Sequence, residues 1–337
     1  MTVFPVGKLP ASLLQSLLER YVRPDPRVLV GPAVGQDATI IHMGDRLLVA
    51  TSDPVTLATD EIGWYAVHIN ANDVACTGAT PRWFLATVLL PEGTTTPELV
   101  EAIFGQVDQA CRQLGVSLCG GHTEVSHDLR WPILVGQMLG EVAPDGYVTT
   151  AGARVGDVVI LTKGFAIEGT ALLALEKAAA LRGILSDLDL ARCGNLLHIP
   201  GISIVPEARL ALQAGGVHAL HDPTEGGLAT GLWELAGAAG VGLIIEETSL
   251  PLLPECAVMC RHFGLDPLGL IASGSLLIAA AADRAPRIVD RLHSAAIAAA
   301  TVGQIVPAAQ GCHIRRADGT LDPLPSFARD EIARLFA

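Results

Sequence analysis

At 337 residues the chain exceeds the roughly 150 that one domain usually takes, so two domains are expected, each able to bury its own core. Half of the residues are hydrophobic and only 17% are charged, which excludes intrinsic disorder as the main state. Aromatics at 4% leave an aliphatic core suited to α/β layers, and 22 basic against 35 acidic side chains argue against nucleic acid or an anionic membrane surface as a partner. The opening MTVFPVGKLP lacks the apolar centre of a signal peptide, and the most apolar stretch, Pro267 to Ala282, is too short for a span and is broken by Gly269 and Gly274. A cytoplasmic protein is expected. The seven cysteines form no CxxC pair; Cys256 and Cys260, one helical turn apart, read as core thiols.

The stretch LPASLLQSLLERYV predicts a helix with Leu13, Leu14, Leu17 and Leu18 on one face, ending before Pro24-Asp25-Pro26. TIIHM and RLLVATSD, joined at Gly44-Asp45, predict a hairpin. Asp60 and Glu61 open a helix through IGWYAVHINANDVACTGA, and strand WFLATVLL, helix TPELVEAIFGQVDQACRQLG and strands VSLCGG and WPILVGQMLGEV follow. The Gly- and Pro-rich segment VAPDGYVTTAGARVGDVV places a domain boundary near residue 152, giving domains 1–152 and 153–337. Beyond it strand VVILTKG, helix FAIEGTALLALEKAA, helix VPEARLALQA, strand VHALHD and helix TEGGLATGLWELAGAAG alternate. Strand VGLIIEE, helix PECAVMCRHFG, strand SLLIAAA, helix APRIVDRLHSAAIAAA, strand TVGQIV and a last helix FARDEIARLF complete the chain.

Asp37, Asp53, Asp73 and Glu124 each close an apolar run beside small residues. Three or four carboxylates so placed suit Mg²⁺, which takes a few carboxylates plus substrate phosphates; singly, each reads equally as a cap or turn acid. Gly120, Gly121, His122 and Thr123 follow a strand and offer unobstructed N–H groups for an anion, or simply a strand-ending turn. LTKGFAIEGT ends a strand at Lys163-Gly164 and starts a helix, so that Lys163 and the helix N-terminus are expected to face a phosphate. HDPTEGGLATG repeats this design, with Asp222 or Thr224 as the expected helix cap. His122 and His221 border these turns, where an imidazole titrates near neutral pH. GxSxG, HExxH, Walker A and GxGxxG motifs are absent, which removes the commonest hydrolase, zinc-protease and nucleotide-fold readings.

In order, GQDATII, VATSDPV, NANDVACTGATPRWF, GGHTEV, GDVVILTKGFAIEGT, HDPTEGGLATGLWELA and ASGSLLIA resemble the aminoimidazole-ribonucleotide-synthetase (PurM-like) superfamily across nearly the whole chain. That superfamily includes thiamine-monophosphate kinase, selenophosphate synthetase and the hydrogenase maturation dehydratases, and the last branch is the most similar. The resemblance implies a two-domain α+β fold: a β-rich N-terminal domain that pairs as a homodimer, and a C-terminal α+β domain completing an ATP and Mg²⁺ cleft. It implies Asp37, Asp53 and Asp73 as Mg²⁺ ligands, with Asn72, Gly120, Gly121, Thr123, Gly164, Asp222 and Thr224 at the nucleotide and Glu124, His122 and Lys163 as catalytic candidates.

Two positions depart from the pattern: Gln36 stands where many members carry an acid, and His122 where many carry Asp or Glu. The sequence given ends ARLFA, without the C-terminal cysteine that the dehydratases modify, so self-modification is not expected. The activity expected is ATP-dependent, Mg²⁺-requiring activation of an amide, carbonyl or phosphate oxygen with ADP release. The alternatives are a non-catalytic nucleotide-binding maturation factor for a metalloenzyme, or a thiamine-phosphate-type small-molecule kinase. In the first reading the protein's work is positioning and charge neutralisation, for which metal-binding acids suffice.

Overall fold

The computed structural model describes Phe4 and residues 9–33, 35–56 and 60–335. The chain forms two compact units, one made of residues 24–32 and 37–147, the other of the remaining described residues. The second unit therefore begins at Val148, slightly before the expected boundary. It also takes in residues 9–23 and 33–36, of which Val34 lies outside the described residues; the sequence reading had assigned these to the first domain. Helix α1 (Ala11–Tyr21) belongs to this second unit, and its expected apolar face is only partly covered: Leu13 and Leu18 are half-buried, Leu14 and Leu17 exposed.

The first unit is a six-stranded sheet backed by two helices. Its elements are β1 (Val28–Val30), β2 (Thr39–His42), β3 (Leu47–Val55), α2 (Ile62–Cys76), β4 (Thr80–Pro91), α3 (Pro97–Leu114), β5 (Ser117–Ser126) and β6 (Ile133–Val142). The sheet order is β1-β2-β3-β6-β4-β5, antiparallel except for β5, which runs parallel to β4 at the edge after the α3 crossover that a parallel pair requires. The β2–β3 hairpin turns at Gly44, whose φ of 94° a side chain would resist. Helix α3 starts where the Thr96 hydroxyl accepts the Leu99 N–H at 3.3 Å and Pro97 occupies the first turn, and it stops at left-handed Gly115.

Every residue of α2 except Ile69 is buried. Its sequence shows no clean amphipathic stripe because it is covered on both sides. On the sheet side Gly136 and Gly140 of β6 leave room for Asn70 and Val74; on the other, Gly63 lies against the Ile103 carbonyl and Gln106 of α3. Gln106 fastens the helix start, accepting the Gly63 N–H at 3.0 Å and donating to the Asp60 carbonyl at 2.7 Å.

The second unit continues with β7 (Asp157–Thr162), α4 (Ile167–Glu176), α5 (Ala178–Leu181), α6 (Asp187–Gly194), α7 (Val205–Ala214), β8 (Val217–His221), α8 (Gly227–Ala239) and β9 (Gly242–Glu246). After these come α9 (Pro254–Phe263), β10 (Leu277–Ala281), α10 (Ala285–Ser294), β11 (Ala299–Val306), β12 (Cys312–Arg315) and β13 (Leu321–Pro323). The seven strands lie in the order β13-β12-β9-β11-β7-β10-β8. VVIL, LIIE and LIAA read as nearly continuous apolar runs because β7, β9 and β10 are covered on both faces. The apolar stretch from Pro267 resolves into a 3₁₀ turn, a loop and β10; among the described residues no helix is long and apolar enough to cross a membrane. Two expected helices are shorter: α10 ends at Ser294, and the C-terminal segment forms only a 3₁₀ turn, Glu331–Leu335. Helices and strands are mixed in both units, and the fold is the expected two-domain α+β architecture.

Candidate functional site

In the first unit, the sheet and α2 bring three of the predicted acids toward one another. Thr51 and Asp53 alternate along β3 and so share a face, about 7 Å apart along the strand. The Thr51 hydroxyl is within hydrogen-bond distance of two oxygens, the Asp73 carboxylate at 2.8 Å and the Asp37 carbonyl at 2.9 Å. Asp53 is held through its backbone: its N–H donates to Asn70 Oδ1 at 2.9 Å, and Asn70 Nδ2 donates to the Ala66 carbonyl at 2.8 Å and the Asp53 carbonyl at 3.3 Å. Asn70 and Asp73 lie three residues apart, on the face of α2 that meets β3. Asp73 is buried, whereas Asp37 and Asp53 are half-exposed. Asn72 is fully buried. The result is a sheet–helix frame that holds the backbones of Asp37 and Asp53 and the carboxylate of Asp73, three acids whose oxygen chemistry fits Mg²⁺.

Gly120, Gly121, His122, Thr123 and Glu124 do not form a turn. They continue β5, the exposed sheet edge, from Ser117 to Ser126. The glycines sit where the β4–β5 register slips, Phe84 facing Leu118 but Leu85 facing Gly120, so Cys119 is the extra residue of a bulge. At Gly121, with φ 143°, an added Cβ would overlap the Ala86 backbone. Beyond the bulge His122 and Glu124 point to one side: His122 Nε2 lies 3.1 Å from Glu124 Oε2, and Ser126 Oγ donates to Glu124 Oε1 at 2.8 Å. These contacts, Ser126 first and His122 next, hold the Glu124 carboxyl below its ordinary range.

In the second unit Lys163 corrects the phosphate expectation. Its side chain is buried, and its ammonium is committed to the Gly201 carbonyl at 2.9 Å, the Ser203 carbonyl at 2.6 Å and Glu207 Oε1 at 2.9 Å. It is a structural cation under the loop. Burial pulls its ammonium below the usual lysine range, opposed by the Glu207 charge. The loop above it is strained, with Lys163 at φ 58°, Gly164 at 140° and Ala166 at 59°.

The cap expectation fails as well. Helix α8 begins at Gly227 with left-handed Gly226 as its flanking residue and no side-chain cap, so neither Asp222 nor Thr224 caps it. Thr224 ties loops together through its carbonyl, which accepts the Gly227 and Ala272 N–H groups, each at 3.1 Å. Asp222 is buried, and His221 Nε2 lies 3.1 Å from Glu234 Oε2.

Sequence reasoning passed over Thr51 and Asn70, which orient the acids. Asn70 was visible as a second amide in INANDV, but only the pairing of α2 with β3 gives it a task. It also passed over Glu168, a buried acid in the first turn of α4, and Asp330, whose carboxylate accepts the Gly226 N–H at 2.7 Å.

Residues 35–142 match the model for the N-terminal domain of AIR synthase related proteins, and residues 154–312 match the model for their C-terminal domain. The chain belongs to the AIR synthase related family. Within that family it is similar to the carbamoyl dehydratase HypE of Cupriavidus necator, 31% identical over 82% of this chain and 77% of that protein. Among solved structures, HypE in complex with ATP superposes with a TM-score of 0.73 at 25% identity, covering 96% of this chain and 97% of that one. The HypE–HypF complex gives 0.77 at 20% identity, covering 94% and 100%. The AIR synthase related chain described here thus falls in the HypE-like branch.

Proposed function

We propose that this protein is an ATP-dependent, Mg²⁺-requiring enzyme that activates an amide, carbonyl or phosphate oxygen by phosphoryl transfer and releases ADP. The observation that carries the reading is the Thr51 hydroxyl, which links the Asp73 carboxylate to the Asp37 backbone, beside the Asn70 clamp on the Asp53 backbone: it holds the three acid-bearing segments on one sheet–helix frame. Asp37, Asp53 and Asp73 would hold Mg²⁺, which when bound supplies charge neutralisation at phosphate oxygens. Supporting it, a relative is named a carbamoyl dehydratase and a HypE structure was solved with ATP.

The remaining roles follow from what each group offers. Glu124, kept ionised by Ser126 and His122, orients the His122 imidazole, and the pair accepts a proton from the acceptor. Asn72, Gly120, Gly121 and Thr123 in the first unit, and Gly164, Asp222 and Thr224 in the second, are assigned to nucleotide contacts. Lys163 is left out of the chemistry. The bare β5 edge, with Leu118 and Val125 exposed, is the surface through which we assign a homodimer, since an unpaired edge this long is normally covered. ADP release measured over a set of primary amides and carboxamide thioesters tests the activity. Protein that binds Mg²⁺·ATP by calorimetry yet leaves ADP at background with every acceptor would point to the maturation-factor reading, and protein that binds no nucleotide would defeat both.

A further inference from the structure

Cys256 and Cys260 meet inside the second unit. Both lie on α9, one helical turn apart, so their side chains share a face. Cys256 is 0% and Cys260 1% exposed, and the two sulfurs are 3.9 Å apart. Cys256 stands in the first turn of α9, a helix start without a side-chain cap, where the positive end of the helix dipole favours a thiolate. Among the described residues no further cysteine, histidine or carboxylate lies within 4.8 Å of both sulfurs. Cys193 of α6, whose thiol feels the charge of Cys256, is outside that reach.

Two close thiols can be joined by a disulfide or by a metal ion, and the helix decides between them. Cβ atoms four residues apart on a helix are about 5–6 Å apart, whereas a disulfide needs about 3.5–4.5 Å, so oxidation would have to break the first turns of α9. A metal ion asks for less. With metal–sulfur bonds of about 2.3 Å, one ion reaches both sulfurs at their present spacing. Two sulfurs without a third donor do not suit Zn²⁺, which takes four ligands, nor the hard ions, which take oxygen. They suit a soft, thiophilic cation that is satisfied by few ligands, of which Cu(I) is the example.

We propose that Cys256 and Cys260 form a buried two-thiolate site for a soft cation of the Cu(I) class. Binding forms two metal–sulfur bonds and releases the two thiol protons to solvent, with no change of oxidation state. The bound ion is what makes ionised sulfur tolerable in this interior, and the start of α9 offsets the negative charge that two thiolates leave on a monovalent ion. The ion also ties the first two turns of α9 to each other, so the loaded helix opens less readily. Because neither sulfur is exposed, the ion enters through local opening of α9, and uptake is slow compared with reaction at Cys119, the exposed thiol.

Anaerobic Cu(I) titration against the coloured chelator bicinchoninate tests this, using the full chain with Cys119→Ser to remove the exposed thiol. One equivalent of chelator-resistant Cu(I) is expected, and X-ray absorption should show two sulfur neighbours. Adding Cys256→Ser or Cys260→Ser should weaken retention by about a hundredfold or more, while Cys193→Ser leaves it unchanged. No retained Cu(I), retention that survives the loss of Cys256, or retention that depends on Cys193 instead would overturn the proposal. If the serine variants of α9 do not fold, hydrogen exchange of the Cys119→Ser protein with and without Cu(I) decides. Protection of α9 rising about tenfold while α10 stays constant supports the site, and an unchanged α9 refutes it.

Discussion

Lys163→Met separates a structural cation from a phosphate-binding one. The substitution keeps the length of the side chain and the left-handed backbone at φ 58°, so the strain at this position is unchanged. What disappears is the ammonium between two carbonyls and Glu207 Oε1, in a place where the Lys163 and Glu207 side chains are 4% and 3% exposed. Removing one partner of a buried ion pair costs about 3–5 kcal/mol because the other is left desolvated and unpaired. At roughly 2–4 °C per kcal/mol for a domain of this size, the melting temperature should drop by about 10 °C. The double variant Lys163→Met/Glu207→Leu removes the orphaned carboxylate and should recover most of the loss, a coupling that a double-mutant cycle in urea reads directly. Calorimetry on the folded single variant should give wild-type ATP affinity. A variant as stable as the wild type that has lost ATP binding would refute this reasoning and return Lys163 to the phosphate.

Asn70→Ala removes a fully buried amide and leaves the Ala66 carbonyl and the Asp53 backbone short of partners; we expect about 2–4 kcal/mol of lost stability in urea, together with weakened Mg²⁺·ATP binding by calorimetry. Gly121→Ala forces a methyl group into the Ala86 backbone, so unfolding titrations should show a loss of about 3 kcal/mol or more, and a loss below 1 kcal/mol would contradict the β5 bulge. Val125→Glu puts a charge on the most exposed large apolar side chain of the β5 edge and should convert a dimer to monomer in sedimentation velocity without lowering the monomer's melting temperature.

Where local chemistry decides the structure, the sequence was legible. The β2–β3 hairpin turns at its glycine, and α3 starts at Thr96 and stops at Gly115, because turn and cap residues act within a few positions of themselves. The family motifs were legible for the same reason, and the family and two-domain fold stand. The glycines at 120 and 121 read as a turn because the bulge they form depends on pairing with β4, some 35 residues away. Lys163 read as a phosphate ligand because its real partners, Gly201, Ser203 and Glu207, come from a distant loop and α7. The start of α8 was misjudged because Asp330, a hundred residues on, supplies the acceptor that a local cap would have supplied. Asp37, Asp53 and Asp73 were picked out by their settings, but their arrangement depends on Thr51 and Asn70, ordinary residues until β3 and α2 are packed together.

The central claim is that Asp73 serves the nucleotide's metal rather than the helix it sits in, and calorimetry of Asp73→Asn with ATP, with and without Mg²⁺, tests it most directly. Asparagine can still accept the Thr51 hydroxyl bond, so the fold should lose less than about 1 kcal/mol, and relief of repulsion among the acids should leave the metal-free melting temperature equal or slightly raised. Removing one full negative charge from the ligand set should weaken Mg²⁺-dependent ATP binding by about a hundredfold or more. Wild-type Mg²⁺·ATP affinity in a destabilised Asp73→Asn protein would contradict the account and leave Asp73 a structural acid of α2.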